Sequence, residues 1–300
     1  MPVRMMVRKN SNRAGLELPS VSFVDGDVTD PDAVLKGMQG CELVTHMAAI
    51  VGHDVHEAKW WQVNRDGSRN VLQAALDQGV ESMVQVSSIS VLGSTQPGET
   101  ADESRPVDTA GYANLYQKTK HAADEIAREL AGKGLPVKIV YPAFGYGCSQ
   151  ATSHPSLHEQ TLLRMAAGKP VAVMGSGRNR LCLAYYHDTA AGILLAHQKG
   201  KTGDDYILGN ENLTFVQIWA AIAQVLGKQP PRVRIPLAVL KFIATASRTV
   251  TGKSAFPPDF FDMLGSDWCF SNAKAREQLG WQPHTFAEGM RETWADYQKQ

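Results

Sequence analysis

The 300-residue sequence has few cysteines, no net charge and no long apolar segment, and each of these properties excludes a class of protein. Its four cysteines lie far apart without a Cys-x-x-Cys pair, which disfavours both a disulfide framework and a zinc site. Thirty basic and thirty acidic residues cancel, so the overall charge points to neither nucleic acid nor an anionic membrane. No stretch approaches the roughly 18 apolar residues of a membrane span, and no apolar signal region opens the chain. We therefore expect a cytoplasmic protein without a membrane span, a metal site or a nucleic acid partner.

Strands alternate with helices over the first half of the chain. An apolar content of 43% suffices for a sizeable core. Short apolar runs predict strands over residues 3–8, 21–25 and 43–49. Asp30 followed by Pro31 is typical of a helix start, and a longer helix is predicted over residues 57–78. This alternation predicts an α/β fold with βαβ units and a parallel sheet.

A Tyr-x3-Lys motif, Tyr116 with Lys120, stands near the start of a helix predicted over residues 114–131. Side chains four residues apart share one helix face, so the phenol and the ammonium point into the same space. A free phenol has a pKa of about 10, and a neighbouring positive charge lowers that pKa. Tyr116 is therefore a candidate proton donor and acceptor for a carbonyl/alcohol pair. By itself, the motif also fits two unrelated surface residues.

Serines follow a strand predicted over residues 83–87, just upstream of this motif. Ligand-binding groups in open α/β sheets lie outside the carboxyl ends of the strands. Ser88 stands at that position, and Ser90 is a weaker candidate for the same role. A further apolar run over residues 137–142 ends in Pro142 and leads to Gly145 and Gly147.

The ordered set of strand-Ser-Ser, Tyr-x3-Lys on a helix and strand-Pro-x-x-x-Tyr-Gly resembles the extended short-chain dehydrogenase/reductase family. Its members are NAD(P)-dependent epimerases, dehydratases and reductases. The resemblance covers nearly the whole chain and implies a Rossmann-like, doubly wound parallel sheet with a smaller, mostly helical C-terminal substrate domain. The implied NAD(P)-binding domain comprises residues 1–150 with residues 181–208 returning to it, and residues 151–300 form the substrate domain.

The resemblance also implies a site. Ser88, Tyr116 and Lys120 are the implied catalytic residues: Ser88 hydrogen-bonds the substrate oxygen, Tyr116 exchanges the proton, and Lys120 lowers the pKa of Tyr116. Arg8 stands where the family chooses its cofactor, and a basic residue there favours the 2′-phosphate of NADP over NAD; an exposed basic turn is the alternative. The cofactor-binding residues implied in this way are Arg8, Asp27, Val28, Ala48, Ala49, Ser87, Tyr116, Lys120, Pro142 and Gly145. Asn64 is expected to support the active-site helix.

One family feature is absent from this sequence. The family opens with a strand, a Gly-x-x-Gly-x-x-Gly turn and a helix whose N-terminus holds the pyrophosphate. This chain starts where the family's second strand is expected, and the glycines of Gly175-Ser-Gly177 lie in the wrong context. The first strand of such a sheet is central, so its absence is expected to leave two neighbouring strands unpaired. We expect a truncated sequence whose activity belongs to a longer chain.

The substrate class is predicted from a departure from the family pattern. Nucleotide-sugar members carry Gly-x-Gly-x-x-x-Arg-Asp, but here the last two positions hold Leu181 and Cys182. Arg178 and Arg180 lie nearby in the wrong register. The departure favours hydride transfer to or from a small or apolar ketone or alcohol, in the dihydroflavonol-reductase-like and 3β-hydroxysteroid-dehydrogenase-like branch. A nucleotide-sugar epimerase/dehydratase and a non-catalytic scaffold or sensor are the alternatives. A homodimer through a four-helix bundle is also expected from the resemblance.

Overall fold

The N-terminal part of the computed structural model, which describes residues 2–51, 55–148, 155–251 and 258–299, begins with two parallel strands. β1 (Val3–Val7) pairs with β2 (Val21–Asp25), and α1 (Pro31–Met38) follows. Asp30 caps α1 by accepting hydrogen bonds from two backbone N–H groups of its first turn. The predicted start of α1 is therefore confirmed.

A helical stretch in three parts follows the next strand. The elements are β3 (Leu43–His46), α2 (Glu57–Trp60), a π-helical segment (Trp61–Asp66) and α3 (Gly67–Gln78). The predicted ends of this stretch are right, but the prediction of one continuous helix is wrong in the middle. Wider π turns occur frequently at functional sites, and this one contains the buried Asn64.

The remaining elements follow in chain order. They are β4 (Ser82–Val86), α4 (Leu115–Ala131), β5 (Val137–Pro142), β6 (Phe144–Tyr146), α5 (Leu157–Ala166), β7 (Val173–Met174), β8 (Arg180–Tyr185), α6 (Tyr186–Lys199), β9 (Asp205–Leu208), β10 (Asn212–Thr214), α7 (Phe215–Val225), β11 (Arg234–Ile235), α8 (Leu237–Thr251), α9 (Pro258–Leu264) and α10 (Phe286–Gln298). Two 3-10 segments (Ile89–Leu92 and Thr109–Gly111) and a second π segment (Ala275–Leu279) lie between them.

The central sheet is parallel and has the strand order β3-β4-β5-β9. Neighbouring residues of β4 and β5 point to opposite faces of the sheet. Met83 and Ile139 belong to the larger core cluster, which includes side chains of α3 and α4. Val84 and Val140 belong to a second cluster with side chains of α6. Helices thus cover both faces, which explains why β4 and β5 carry apolar side chains on both faces.

The sheet is divided between β1 and β3. β1 and β2 pair with each other, and no ladder within the described ranges joins this pair to the central sheet. Arg4 of β1 instead contacts the end of α1, because its guanidinium donates hydrogen bonds to the carbonyl oxygens of Gly37 and Gln39. The division lies where the sequence predicted two unpaired strand edges.

Short sheets and helices make up most of the second half. β8 lies between β10 and β6, and β11 pairs with β7. Capping boxes open α5, α7 and α10. Phe215, Trp219, Phe286 and Met290 from α7 and α10 are buried in the larger core cluster. The pairing of β9 with β5 brings the chain back to the central sheet after α6.

Candidate functional site

The first pair of candidate residues, Ser88 and Tyr116, is brought together where β4 ends. Ser88 follows the last residue of β4 by two positions, and Tyr116 lies in the first turn of α4. Asn114 caps that helix by accepting a hydrogen bond from the backbone N–H of Gln117 at 3.0 Å. The Ser88 side chain is close enough to the phenol of Tyr116 to lower its pKa. The edge of the buried Trp60 ring packs against the Tyr116 ring, with 6.3 Å between the ring centroids.

Ser90 contacts the side chain of Ser88. Its backbone N–H and its hydroxyl lie 3.2 and 3.0 Å from the Oγ of Ser88. Both contacts position the Ser88 hydroxyl. Ser88 stays the predicted substrate-binding serine, with Ser90 as the weaker candidate.

Lys120 lies one turn after Tyr116 and is buried, with 3% of its surface exposed. Its Nζ donates a hydrogen bond to the backbone oxygen of Val86 at 2.6 Å. An ammonium has three N–H donors. Within the described residues, the hydrogen bond to Val86 uses one of them. The remaining donors suit hydroxyl acceptors.

The pKa values of this pair differ from the sequence-based prediction. Burial raises the pKa of Tyr116 above its ordinary value, and the Ser88 side chain opposes the rise. Burial lowers the pKa of Lys120, because desolvation disfavours the charged ammonium. The predicted lowering of the Tyr116 pKa by Lys120 is thus not the net effect in this structure. Desolvation has the larger influence on both groups.

The sequence analysis missed Asp124, a buried carboxyl group one turn beyond Lys120. Asp124 is 1% exposed and accepts a hydrogen bond from the Oγ of Ser87 at 2.6 Å. Burial raises its pKa to about 7, although the charge of Lys120 and the hydrogen bond from Ser87 oppose this rise. The i, i+4, i+8 spacing of Tyr116, Lys120 and Asp124 was a signal that a search along the helix face would have found.

Arg128 continues the same row of α4 by another turn. Its Nη2 lies 2.8 Å from the Tyr141 hydroxyl and 3.0 Å from Oδ2 of Asp205 in β9. Polar side chains therefore line the face of α4 that meets the central sheet. This row connects the candidate catalytic residues to the far end of the sheet.

Asn64 supports α4, as the resemblance implied. Its Nδ2 donates to the Thr119 hydroxyl at 3.1 Å and to the backbone oxygen of Ile50 at 3.3 Å. Its Oδ1 accepts from the backbone N–H of Ile50 at 2.7 Å. Asn64 is 1% exposed, so these bonds are made in the interior. The π segment that carries Asn64 is tied in this way to the segment after β3 and to the Tyr-x3-Lys helix.

Arg8 and Asp27 lie close to each other at the carboxyl ends of β1 and β2. The backbone N–H of Thr29 makes the largest contribution to lowering the pKa of Asp27, and the charges of Lys59 and Arg8 contribute further. Arg8 is exposed. Val28 is buried against α3, where a Cβ on Gly67 would lie only 2.7 Å from its Cγ2. Two of these three predicted cofactor contacts are thus accessible, and the third packs in the interior.

The other predicted cofactor contacts lie at the ends of the central strands. Ala48 and Ala49 follow β3, and Pro142 ends β5 beside Leu208 of β9. Gly145 lies in β6 beneath the ring of Tyr186. A Cβ on Gly145 would come within 2.5 Å of Cε1 of Tyr186, so the close contact of this ring explains the glycine.

Arg178 and Arg180, which lie just before Leu181 and Cys182, differ in their surroundings. The backbone N–H of Arg180 donates to Oδ1 of Asp267 at 2.9 Å, and its guanidinium lies 3.3 Å from Oδ2. Arg180 is therefore engaged with a carboxylate. Arg178 lines a polar depression of about 480 Å³ together with Ser94 and Thr95.

Asp188 has a structural role here. Its two carboxylate oxygens accept hydrogen bonds from the backbone N–H and the ring Nδ1 of His284, at 2.8 and 2.7 Å. This contact raises the pKa of His284. It fixes the start of α6 to the segment before α10. Within the described part of the chain, no helix is long and apolar enough to span a bilayer.

Comparisons with known proteins agree with this arrangement. The model of the NAD dependent epimerase/dehydratase family matches residues 2–209. A putative dihydroflavonol 4-reductase from Synechocystis sp. is 31% identical over 294 residues, covering 93% of this chain and 82% of that protein. A 3 beta-hydroxysteroid dehydrogenase/Delta 5-->4-isomerase from Mycobacterium tuberculosis is 26% identical over 284 residues, covering 88% of this chain and 75% of that protein.

Solved structures show the same fold. The dTDP-glucose 4,6-dehydratase from Streptomyces venezuelae, with NAD and TYD bound, has a TM-score of 0.77 at 23% identity, covering 99% of this chain and 88% of that chain. This likeness supports the predicted Rossmann-like α/β fold. From its matched residues and its relatives, the chain belongs to the NAD dependent epimerase/dehydratase family of extended short-chain dehydrogenases/reductases.

Proposed function

We propose that the protein transfers hydride between a nicotinamide cofactor and a small or apolar ketone or alcohol. The observation that carries this proposal is that Ser88 lies beside the phenol of Tyr116, with the buried Lys120 one turn further along α4. A hydroxyl, a phenol and an ammonium at one strand end form a proton-exchanging set for a carbonyl oxygen.

The residues present fit a nicotinamide cofactor at its two ends. Near the catalytic residues, Lys120 has N–H donors beyond its bond to Val86, which suit the hydroxyls of a ribose. At the other end, the exposed Arg8 beside Asp27 suits the adenosine portion. The bound cofactor supplies the hydride or accepts it. Ala48, Ala49, Ser87, Pro142 and Gly145 are the further residues proposed to lie along it.

The roles of the protein's own side chains follow from their positions. Ser88 donates a hydrogen bond to the substrate oxygen and holds it beside Tyr116. The Tyr116 hydroxyl gives its proton to that oxygen in reduction and takes it back in oxidation. Lys120 holds the cofactor next to Tyr116, and its charge opposes the effect of burial, which raises the pKa of the phenol. Asp124, behind Lys120, influences the charge that Lys120 carries.

We infer that NADPH is preferred to NADH. Arg8 is exposed and has no carboxylate within ion-pairing distance in the described parts of the chain. A guanidinium suits a phosphate monoester because it presents paired donors in a fixed plane. The solved dehydratase has the same fold and binds NAD. We therefore expect the preference for NADPH to come from Arg8 and the residues around it, not from the fold.

The ion pair between Arg180 and Asp267 favours an apolar substrate over a nucleotide sugar. The pairing with Asp267 occupies the guanidinium that would otherwise bind substrate phosphates. The names of the two relatives, a dihydroflavonol reductase and a hydroxysteroid dehydrogenase, agree with this choice. We further propose the domain division at about residue 150, a homodimer through α3 and α4, and a cytoplasmic location.

Turnover tests the proposal directly. The protein would be mixed with NADPH or NADH and a panel of aliphatic, aromatic and steroid ketones, and nicotinamide absorbance would be followed. Nucleotide sugars form a parallel arm. We expect reduction of at least one apolar ketone. Conversion of a nucleotide sugar alone would favour the epimerase alternative. Cofactor binding without any turnover would favour a scaffold or sensor.

A further inference from the structure

Helix α8 exposes a continuous apolar face. Val239, Phe242 and Ile243 have 45%, 73% and 56% of their surface exposed. Residues at i, i+3 and i+4 share one side of a helix, so these three side chains form a single patch. Val233, which is 63% exposed, precedes the helix. These side chains face outward, away from the core.

The opposite face of α8 attaches the helix to the protein. Ala244 is buried, and Leu237 and Leu240 pack against the larger core cluster. Leu237 also contacts the positions of Gly175 and Gly265, where a Cβ would lie 2.9 and 3.5 Å from its side chain. The exposed patch is therefore not needed to hold α8 in place. Large exposed apolar patches usually mark an interaction surface.

The sequence around α8 is rich in positive charge. Residues 212–258 contain six lysines and arginines and no aspartate or glutamate, although the whole chain is neutral. Arg232 and Arg234 are exposed beside Val233, and Lys241 pairs with Asp262 of α9 at 2.6 Å. The overall balance of charges thus conceals a local excess of positive charge. A second copy of the same patch would bring like charges together, which disfavours self-association.

We propose that α8, together with Arg232 and Arg234, docks on the surface of an anionic lipid bilayer. Helices with aromatic and aliphatic side chains on one face and basic residues beside it lie in the plane of such interfaces. The 15 residues of α8 span about 22 Å, which is less than the roughly 30 Å of a bilayer core. The helix therefore lies on the membrane and does not cross it. This inference goes beyond the proposed reaction and does not depend on it.

Vesicle sedimentation tests the proposal on the full chain. The protein is mixed with vesicles of phosphatidylcholine alone or of phosphatidylcholine with phosphatidylglycerol. We expect binding to the anionic vesicles that weakens as salt is added. The double variant Phe242→Ser/Ile243→Ser should lower the partition coefficient by about tenfold or more. Arg232→Gln/Arg234→Gln should reduce binding to anionic vesicles while leaving weak binding to neutral ones.

Leu194→Ser is the matched control, because Leu194 is a 51% exposed aliphatic residue on the separate helix α6. It should bind vesicles as the unchanged protein does. Thermal unfolding of every variant identifies loss of folding. Equal binding by the folded Phe242→Ser/Ile243→Ser variant, or equal binding to neutral and anionic vesicles, would overturn the proposal. So would self-association without vesicle binding, lost in the same variant, since the patch would then be an interface between copies.

Discussion

The Oγ of Ser87 donates a hydrogen bond of 2.6 Å to Oδ2 of Asp124, and this bond joins the end of β4 to the catalytic helix. Oδ1 of Asp124 is buried and has no hydrogen-bond partner among the described residues. A buried carboxyl group with one oxygen unpaired favours the protonated form. Lys120, Arg128 and Asp205 are the charged groups that act on it. The carboxyl group behind Lys120 is thus set to change its charge near neutral pH.

Replacing Asp124 with Asn should change how stability depends on pH. The pKa of Asp124 is raised from 3.8 to about 7, so the folded protein holds this proton where the unfolded chain releases it. Stability from this group is complete at low pH and is lost as pH rises from about 4 to 7. Relative to Asp124→Asn, the unchanged protein should lose on the order of 2–4 kcal/mol over that window. Denaturant unfolding at a series of pH values measures the difference.

The neighbouring Glu125→Gln is the control for this experiment, because the side chain of Glu125 is 60% exposed. It should follow the unchanged protein at every pH. Parallel stability curves for Asp124→Asn and the unchanged protein would show that Asp124 does not titrate in this window.

Removing the Tyr116 hydroxyl should abolish most of the turnover. Tyr116→Phe should lower kcat by roughly 10²-fold or more, the usual scale of acid–base catalysis. Cofactor affinity should change little, because the phenol acts on the substrate. Tyr112→Phe is the matched control, since the Tyr112 hydroxyl donates to the backbone oxygen of Val91 outside the proposed site. Steady-state kinetics with the ketone that is reduced fastest measures kcat for both variants. Near-native turnover by Tyr116→Phe would exclude Tyr116 from the mechanism.

Exchanging the charge at Arg8 should reverse the cofactor preference. Arg8→Asp should weaken NADPH binding and improve NADH binding, because a carboxylate repels the 2′-phosphate and accepts hydrogen bonds from ribose hydroxyls. Lys36→Asp introduces the same charge change at an exposed position on α1 and should leave the preference as it was. Fluorescence titration with both cofactors gives the two dissociation constants. Equal affinities in the unchanged protein would contradict the assignment of Arg8.

Asn64 should contribute to stability through its buried hydrogen bonds. Asn64→Ala leaves the backbone N–H and oxygen of Ile50 without these partners, at an expected cost of about 1–3 kcal/mol for each buried group that stays unsatisfied. Asn70→Ala is the control, because its side chain makes one hydrogen bond, to the backbone oxygen of Val28 at 2.9 Å. Denaturant unfolding should show the larger loss for Asn64→Ala. An equal loss for both would mean that Asn64 does not hold the helix as the contacts indicate.

Much of the first half of the fold was predicted from the sequence because its signals are local. Strand β2 and the start of α1 agree with the prediction, and α4 begins one residue after Asn114, its predicted first residue. Caps and apolar runs act within a few residues, so they can be read without a partner. The π segment at Trp61–Asp66 has no such signal. It depends on Asn64 reaching two segments that are distant in sequence.

The sequence by itself determined the α/β pattern, the helix face that carries Tyr116 and Lys120, and the strand end that carries Ser88. Tertiary structure decided their electrostatics: the pKa of Tyr116 rises and that of Lys120 falls because packing removes both from water. It also decided that Arg180 is held by Asp267 and that Phe242 of α8 faces outward. Periodicity is a property of neighbouring residues. Desolvation and pairing depend on which distant segments meet, and only the folded chain brings those segments together.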